Sequence, residues 1–334
     1  MPAKHIRTQI EVLELAEGFF RSRMLFALHR LGIFRLLGNE KQSLQELAEA
    51  TATSSSHLER LLNAGQAFGL LKSEGDVFSL EDRFVPILSA EESESYLGNW
   101  LNFLDFLYEA VSDLDRAVSD GGPTVDLLKS KQDRDIREFT LAMHNYSALR
   151  GREIADFLDT SACASLLDLG CGPGSYAFHL GLKNPRLTLH LLDLPDVLKV
   201  TREIQAHYPI RNAVRYLPLD VEREKIPGTY DLILISNTLH MLGERASRQL
   251  LRRLRGSLTP GGSVVIQAQY LDDDRKGGKW PVLLDLIQLC ITSGGRNHTV
   301  AETREWLEEA GYSRLEFHPM TVFNTNSFLR GYRM

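Results

Sequence analysis

The sequence has 334 residues, a formal net charge of -6 and three cysteines. This length exceeds what one hydrophobic core usually supports, so it predicts at least two domains. Apolar residues make up 43% and charged residues 25% of the chain, a balance that is typical of a folded globular protein. The acidic balance argues against a nucleic acid or an anionic membrane as partner, because both attract clustered Lys and Arg.

The cysteines and the N-terminal stretch argue against a disulfide-rich, zinc-binding, secreted or membrane-spanning protein. Cys163, Cys171 and Cys290 are odd in number and widely spaced, which fits neither a disulfide framework nor a zinc knuckle. We therefore expect reduced, buried thiols and no metal site. Acidic residues occur where a signal peptide would be apolar, and no apolar run is long enough to span a bilayer. The sequence thus predicts a cytoplasmic protein with no membrane partner.

The first part of the chain has a helical pattern. Apolar residues recur at three- and four-residue spacing over residues 10–37, which predicts one or two amphipathic helices ending at Gly32 and Gly38. A capping box is a hydroxyl and a carboxylate that together satisfy the free amides of a helix start. Two such patterns follow, Ser43 with Glu46 and Ser56 with Glu59.

A hairpin pattern comes next. Residues 70–80 alternate between apolar and polar about Gly75-Asp76, a dipeptide that suits a tight turn. Helix, helix and hairpin in this order predict a winged-helix domain over residues 1–98. Such domains often bind DNA, but the module carries few cations and several glutamates, so DNA binding is disfavoured.

The middle of the chain is again helical. The pattern runs over residues 96–158, is interrupted at Gly121-Gly122-Pro123 and is rich in aromatic residues. We interpret residues 99–158 as a helical linker that lines a substrate pocket, although aromatic side chains more often fill a core.

Short apolar strands alternate with helical stretches after residue 159. The strand segments read ASLLDLG, LTLHLLDL, AVRYLPLD, YDLILIS and GSVVIQAQY. This alternation is typical of an α/β, doubly wound, Rossmann-like parallel sheet, so residues 159–334 are predicted to form the catalytic domain.

The segment SLLDLGCGPGSYAFHL carries the most specific motif, a strand followed by a glycine loop and a helix. Gly170, Gly172 and Gly174 allow sharp turns and close approach of a ligand to the backbone. A dinucleotide site would need its third glycine at position 175, which is Ser175. Asp168 before the loop would repel a pyrophosphate but can hold a cationic ligand, such as the methionine end of S-adenosylmethionine (SAM).

Further residues at strand ends complete the predicted cofactor site. Asp193 lies near the offset at which a carboxylate accepts hydrogen bonds from ribose hydroxyls, and Asp220 with Val221 could meet an adenine. The full set of predicted cofactor-binding residues is Asp168, Gly170, Gly172, Gly174, Asp193, Leu194, Asp220, Val221 and Ser236.

With these motifs the sequence resembles the SAM-dependent O-methyltransferases typified by plant caffeate and flavonoid enzymes and by bacterial antibiotic-tailoring enzymes. The resemblance rests on LLDLGCGPGSYA, LLDLPDVL, YDLILISNTLHML, LRGSLTPGGSVVIQ and SGGRNHTVAETREWLEEAGY, and it covers nearly the whole chain. It implies a homodimer formed through the winged-helix domain, S-adenosylhomocysteine (SAH) as the product, and His240 as the catalytic base for a phenolic or enolic hydroxyl of a small secondary metabolite.

The resemblance also implies acceptor contacts and reveals departures. Met143, His144 and Asp285 correspond to acceptor-pocket positions, and the predicted acceptor-binding residues also include Asn297 and His298. Relatives steer the histidine with two glutamates, whereas this chain has Ala268 and Asn297 there. The acceptor should then need less help, so methylation of an activated aromatic or α-keto carbon, with His298 sharing the proton transfer, stays an alternative. Binding of SAM for a non-methylating tailoring reaction is another.

Overall fold

The computed structural model describes residues 6–126, 133–320 and 326–334. Contacts divide the chain into two compact units, one ending at Phe106 and the other beginning at Leu107. The predicted three-part division at residues 98 and 158 stays a prediction.

The N-terminal unit contains short helices and a small antiparallel sheet with the strand order β1-β3-β2. Strands β2 and β3 pair about Gly75, whose φ of +65° is the left-handed conformation that a tight turn needs. The predicted hairpin is therefore confirmed. The elements are α1 (Gln9–Ala16), α2 (Gly18–Arg30), α3 (Ile33–Leu37), β1 (Lys41–Ser43), α4 (Leu44–Ala50), α5 (Ser55–Ala67), β2 (Leu71–Glu74), β3 (Val77–Leu80) and α6 (Val85–Leu88).

One of the two predicted capping boxes is confirmed and the other is wrong. The Ser43 hydroxyl accepts from the Glu46 amide, and the Glu46 carboxylate accepts from the Ser43 amide at 2.7 Å. Helix α5 instead begins at Ser55, with Ser54 as its N-cap. Ser56 lies inside the first turn, because the run of three serines offers several equivalent starts and the sequence pattern alone does not select among them.

The second unit contains a seven-stranded sheet with the order β6-β5-β4-β7-β8-β10-β9. The first five strands in this order are parallel, which confirms the doubly wound prediction, and the antiparallel β10 and β9 extend one edge. Helix α7 crosses the boundary between the units. The elements are α7 (Gly98–Val111), α8 (Leu114–Asp120), α9 (Asp133–Phe157), β4 (Ser165–Leu169), α10 (Ser175–Lys183), β5 (Thr188–Asp193), α11 (Pro195–Gln205), β6 (Val214–Pro218), β7 (Tyr230–Ser236), α12 (Glu244–Gly256), β8 (Leu258–Ala268), α13 (Lys279–Ile291), α14 (Val300–Glu309), β9 (Ser313–Pro319) and β10 (Ser327–Tyr332).

Both faces of this sheet are covered. One apolar cluster joins α9, α10 and α11 to the sheet through residues such as Phe178 and Leu234, and the other joins α12 and α14 through Leu251 and Trp306. A sheet that is buried on both faces needs strands that are apolar throughout, which is why β4 and β7 read as continuous apolar runs. The carboxyl ends of the parallel strands then form one edge, where polar residues collect.

The three cysteines are free thiols; Cys171 and Cys290 are buried, as predicted, whereas Cys163 is only partly buried. Over the described ranges, no helix combines the length and the hydrophobicity that a transmembrane segment requires.

Candidate active site

The glycine loop joins β4 to α10 at the carboxyl edge of the sheet. Gly170, Gly172 and Gly174 have φ values of +65°, +51° and +74°, a region that side chains with a Cβ rarely adopt. A Cβ at Gly170 would lie 2.8 Å from the Thr238 hydroxyl oxygen. The loop therefore packs directly against the segment that follows β7, and only glycine fits there.

Two carboxylates flank this loop. Asp168 is 1% exposed, and neither of its carboxylate oxygens has a hydrogen-bond partner among the described residues. Burial, with the neighbouring Asp193 as second cause, raises the pKa of Asp168 to about 7, and the nearby backbone amide of Ala177 acts in the opposite direction. An unsatisfied buried carboxyl group is unfavourable by itself. A ligand that brings a positive charge or a donor would satisfy it.

Asp193 is held by backbone amides at the end of β5. Its Oδ2 accepts from the Gly172 amide and its Oδ1 from the Leu194 amide, both at 2.8 Å. Burial raises the pKa of Asp193 to about 6, and these hydrogen bonds act in the opposite direction. The same carboxylate thus shapes the glycine loop and stands at the offset expected of a ribose-binding group.

Asp220 follows β6 at the same edge. The Leu219 amide donates to the Asp193 carbonyl at 3.1 Å, which ties the ends of β5 and β6 together. Asp220 accepts from the Glu222 amide at 2.9 Å and lies 3.4 Å from the Arg223 guanidinium. Its predicted neighbour Val221 packs against the apolar cluster below. Their contact with an adenine stays a prediction.

His240 stands on a short 3-10 turn, Leu239–Met241, after β7. Thr238, just before the turn, donates to the carbonyl oxygens of Ser236 and Leu169, so the turn adjoins the glycine loop. The His240 Nδ1 is buried and has no hydrogen-bond partner among the described residues. Burial, followed by the nearby His298, lowers the pKa of His240 to about 4. The imidazole is therefore neutral at pH 7 and able to accept a proton.

The predicted acceptor residues on the C-terminal loop support each other. The Asn297 side-chain amide donates to the Pro281 carbonyl, and its backbone amide donates to the Asp285 carboxylate, both at 2.7 Å. His298 packs edge-to-face against Trp306, with ring centroids 4.5 Å apart. These contacts join the loop to α13 and α14.

Met143 and His144 lie on α9. The His144 Nδ1 is 2.9 Å from the Ser175 hydroxyl at the start of α10, and its ring meets Tyr208 edge-on. Burial, with His207 and His179 as further causes, lowers the pKa of His144 to about 4. The structure thus places His144 beside the glycine loop, and its contact with an acceptor stays a prediction.

A buried polar cluster at the ends of β7 and β8 contains Ser236, a predicted cofactor-binding residue, together with residues that were not predicted as part of the site. The Ser236 hydroxyl donates to Gln267 at 2.5 Å, and the Gln269 amide donates to the Tyr146 hydroxyl at 2.7 Å. The Arg150 guanidinium stacks on the Tyr146 ring at 3.5 Å. Two glutamines at the end of an apolar strand were the only signal in the sequence.

The residues around the glycine loop match the chemical groups of SAM. The carboxylate of Asp168, which has no hydrogen-bond partner among the described residues, matches a cationic group, and the Cβ position of Gly172 faces open space, so the backbone of the glycine loop is accessible to a ligand. Both features suit SAM, which joins a sulfonium, an ammonium and a ribose in one molecule. The Asp193 oxygen atoms suit its ribose hydroxyls.

The fold and the site together define a SAM-dependent methyltransferase. Comparison with known proteins identifies the family within this class. The O-methyltransferase domain family matches residues 119–313, and the associated dimerisation domain matches residues 13–84. The chain belongs to the O-methyltransferase family and is a SAM-dependent enzyme.

Named relatives span almost the whole chain. The tetracenomycin polyketide synthesis 8-O-methyl transferase TcmO of Streptomyces glaucescens is 28% identical, with 93% of this chain and 94% of that protein covered. Acetylserotonin O-methyltransferase of Gallus gallus is 25% identical, with 91% and 92% covered. The solved structure of PigF with SAH has a TM-score of 0.88 at 22% identity, with 98% and 100% covered, which shows the shared fold.

Proposed function

We propose that this enzyme methylates a hydroxyl group of a small phenolic or enolic secondary metabolite, with His240 as general base. The observation that carries the proposal is the buried, partner-free Nδ1 of His240 on a turn packed against the glycine loop. A neutral imidazole at that place is ready to take a proton from a hydroxyl beside the cofactor. Two relatives support an acceptor of this kind: the 8-O-methyl transferase of tetracenomycin polyketide synthesis and a 3-hydroxy-5-methyl-1-naphthoate 3-O-methyltransferase of Streptomyces sahachiroi.

The remaining residues contribute binding and orientation. SAM supplies an activated methyl group when bound. Asp193 would accept hydrogen bonds from the ribose hydroxyls of SAM, and Asp168 would pair with its ammonium group. The backbone amides of the glycine loop would donate to polar atoms of SAM that face the loop. Holding the acceptor in line with the methyl group is worth roughly 7 to 11 kcal/mol in favourable cases, so positioning accounts for much of the catalysis.

The environment of His240 restricts the acceptor further. Among the described residues, no carboxylate bonds to its Nδ1, so an imidazolium formed during the reaction gains less stabilisation than one with a carboxylate partner. A base with a lowered pKa also removes a proton less readily. Both effects favour an acceptor whose own hydroxyl is acidic, which describes phenols and enols.

We also propose that two chains associate through the N-terminal unit. Large apolar side chains on α1 and α2 are exposed, including Ile10, Leu15 and Phe20 at 68%, 68% and 64%. A contiguous exposed apolar face on a folded protein marks an interaction surface. The matched dimerisation domain covers α2 and the latter part of α1, so the occupant we infer is a second copy of this chain.

The function is tested by incubating the purified protein with methyl-labelled SAM and a panel of phenols and enols. The expected result is a product with a labelled O-methyl group, recognised by nuclear magnetic resonance, and SAH in equal amount. A labelled C-methyl product would assign the alternative carbon methylation instead. If the acceptor is altered but carries no label, and no SAM is consumed, the enzyme catalyses a non-methylating tailoring reaction instead.

A further inference from the structure

Two glutamines at the end of β8 differ in how their carboxamides are satisfied. Gln267 accepts from Ser236 through its oxygen and donates to the Met320 sulfur through its nitrogen. Gln269, which is 5% exposed, donates to Tyr146, but its oxygen is buried with no partner among the described residues. A buried carbonyl oxygen left without a donor costs about 1 to 3 kcal/mol. A ligand that donates a hydrogen bond to this oxygen would remove the cost.

The Gln269 side chain is held in place by Tyr146, which is itself fixed by Arg150. Its amide is fixed by the Tyr146 hydroxyl at 2.7 Å. Tyr146 is in turn fixed by the Arg150 guanidinium, which stacks on its ring at 3.5 Å and also donates to the Tyr146 carbonyl oxygen. A polar group whose rotamer is locked by its neighbours is preorganised for binding.

The strand order places Gln269 on the acceptor side of the site. Asp168 is on β4, the His240 turn follows β7, and Gln269 follows β8, in a sheet ordered β4-β7-β8. Neighbouring strands are about 4.8 Å apart, so the end of β8 lies about 10 Å from the end of β4, with the base between them. The predicted cofactor carboxylates Asp168, Asp193 and Asp220 belong to β4, β5 and the end of β6, so a cofactor held by them would occupy that side of the sheet edge and leave the β8 side of His240 to the acceptor.

We infer that Gln269 is a specificity-determining residue that accepts a hydrogen bond from a second hydroxyl group on the acceptor. The inference rests on the proposed function for the direction of the acceptor. It adds a substrate class: aromatic or enolic molecules with at least two hydroxyl groups, of which one faces His240 and another faces Gln269. A neutral carboxamide selects a hydroxyl donor without requiring a charge.

The test uses binding to the SAH-loaded protein, so it does not depend on turnover. Catechol, resorcinol and hydroquinone are titrated calorimetrically and compared with phenol. We expect at least one diol to bind about fivefold more tightly than phenol, the effect of one buried neutral hydrogen bond. In Gln269→Leu this preference should disappear, whereas SAH affinity stays unchanged. The exposed Gln249→Leu variant on α12 is the matched control and should keep the preference.

Three results would overturn the inference. The wild-type protein could show no preference for any diol, as it would if a water molecule alone satisfied Gln269. The preference could persist in Gln269→Leu. SAH affinity could fall in that variant, which would assign Gln269 to the cofactor. A failure of methyl transfer in the labelled assay would instead contradict the proposed function. The binding results could still be interpreted, because they do not depend on turnover.

Discussion

His298 donates a hydrogen bond from Nε2 to the carbonyl oxygen of Leu239 across 3.3 Å. A carbonyl oxygen only accepts, so the His298 proton is on Nε2. Leu239 immediately precedes His240, and the bond therefore supports the backbone turn that carries the proposed base. This arrangement favours a supporting role for His298 over a share in proton removal.

Replacement of His240 tests the base directly. We expect His240→Gln to lower kcat about 100- to 10,000-fold, the usual range for loss of a general base, with SAH affinity unchanged. Single-turnover methyl transfer to a phenol from the panel measures this. The exposed His57→Gln is the control and should retain full activity; equal activity of both variants would remove His240 from the mechanism.

Asp193 is expected to control cofactor affinity. Asp193→Ala removes the carboxylate that accepts from Gly172 and would accept from the ribose, and hydrogen bonds to a charged group are worth about 1.5 to 3 kcal/mol. SAH binding should weaken by about 10- to 150-fold in calorimetry. Asp196→Ala, two positions beyond Leu194 and paired with Lys199, should bind SAH normally. Comparable losses in both variants would contradict the assignment.

The raised pKa of Asp168, about 7, predicts an opposite pH dependence for stability and for cofactor binding. The folded state without cofactor binds a proton that the unfolded state, with a pKa near 3.9, has lost, so stability rises as pH falls from about 7 towards 4. SAM affinity should fall over the same range, because the protonated carboxyl group no longer attracts the ammonium.

The variant Asp168→Asn separates these effects. Its cofactor-free form should unfold at a higher temperature than the wild type at pH 8, and the difference should shrink at pH 5. Its SAM affinity should be low at both values. Thermal unfolding and calorimetry at the two pH values measure this, and a wild-type affinity that does not change with pH would contradict the role of Asp168.

Gly170 and Gly75 share a φ of +65°, but only Gly170 has a close neighbour, the Thr238 hydroxyl. Gly75→Ala should cost about 1 to 2 kcal/mol of unfolding free energy from backbone strain alone. Gly170→Ala should cost about 1 to 3 kcal/mol more from overpacking and should weaken SAH binding. Urea unfolding of both variants provides the comparison; equal losses would show that the contact with Thr238 is readily relieved.

The exposed apolar face on α1 and α2 predicts a dimer that a charge should disrupt. The double variant Leu15→Asp with Phe20→Asp should elute as a monomer, because burying two unpaired carboxylates is strongly unfavourable. Light scattering after size-exclusion chromatography measures the mass. Val118→Asp, which alters an equally exposed residue on α8 (61%), is the control and should remain dimeric. A dimeric double variant would move the interface elsewhere.

The sequence by itself determined the features that depend on short-range spacing. The glycine loop, the carboxylate of Asp193, the capping box at Ser43 and the five parallel strands were all predicted, because each is set by residues close together in the chain. The wrong capping box at Ser56 shows the limit of this reasoning, since three consecutive serines are locally equivalent and the structure has Ser54 as the N-cap.

Only the tertiary structure decided which distant side chains meet. Gln269 and Tyr146 are 123 positions apart, and His298 and Leu239 are 59 positions apart. Such pairs depend on strand order and on how α9 lies across the sheet, and no local pattern specifies either. The antiparallel β9 and β10 were likewise not predicted, and β10 joins the sheet by pairing with β8, a strand that is distant in the sequence. The proposed base and the glycine loop are thus set by local sequence, whereas the side chains that surround them are set by the fold.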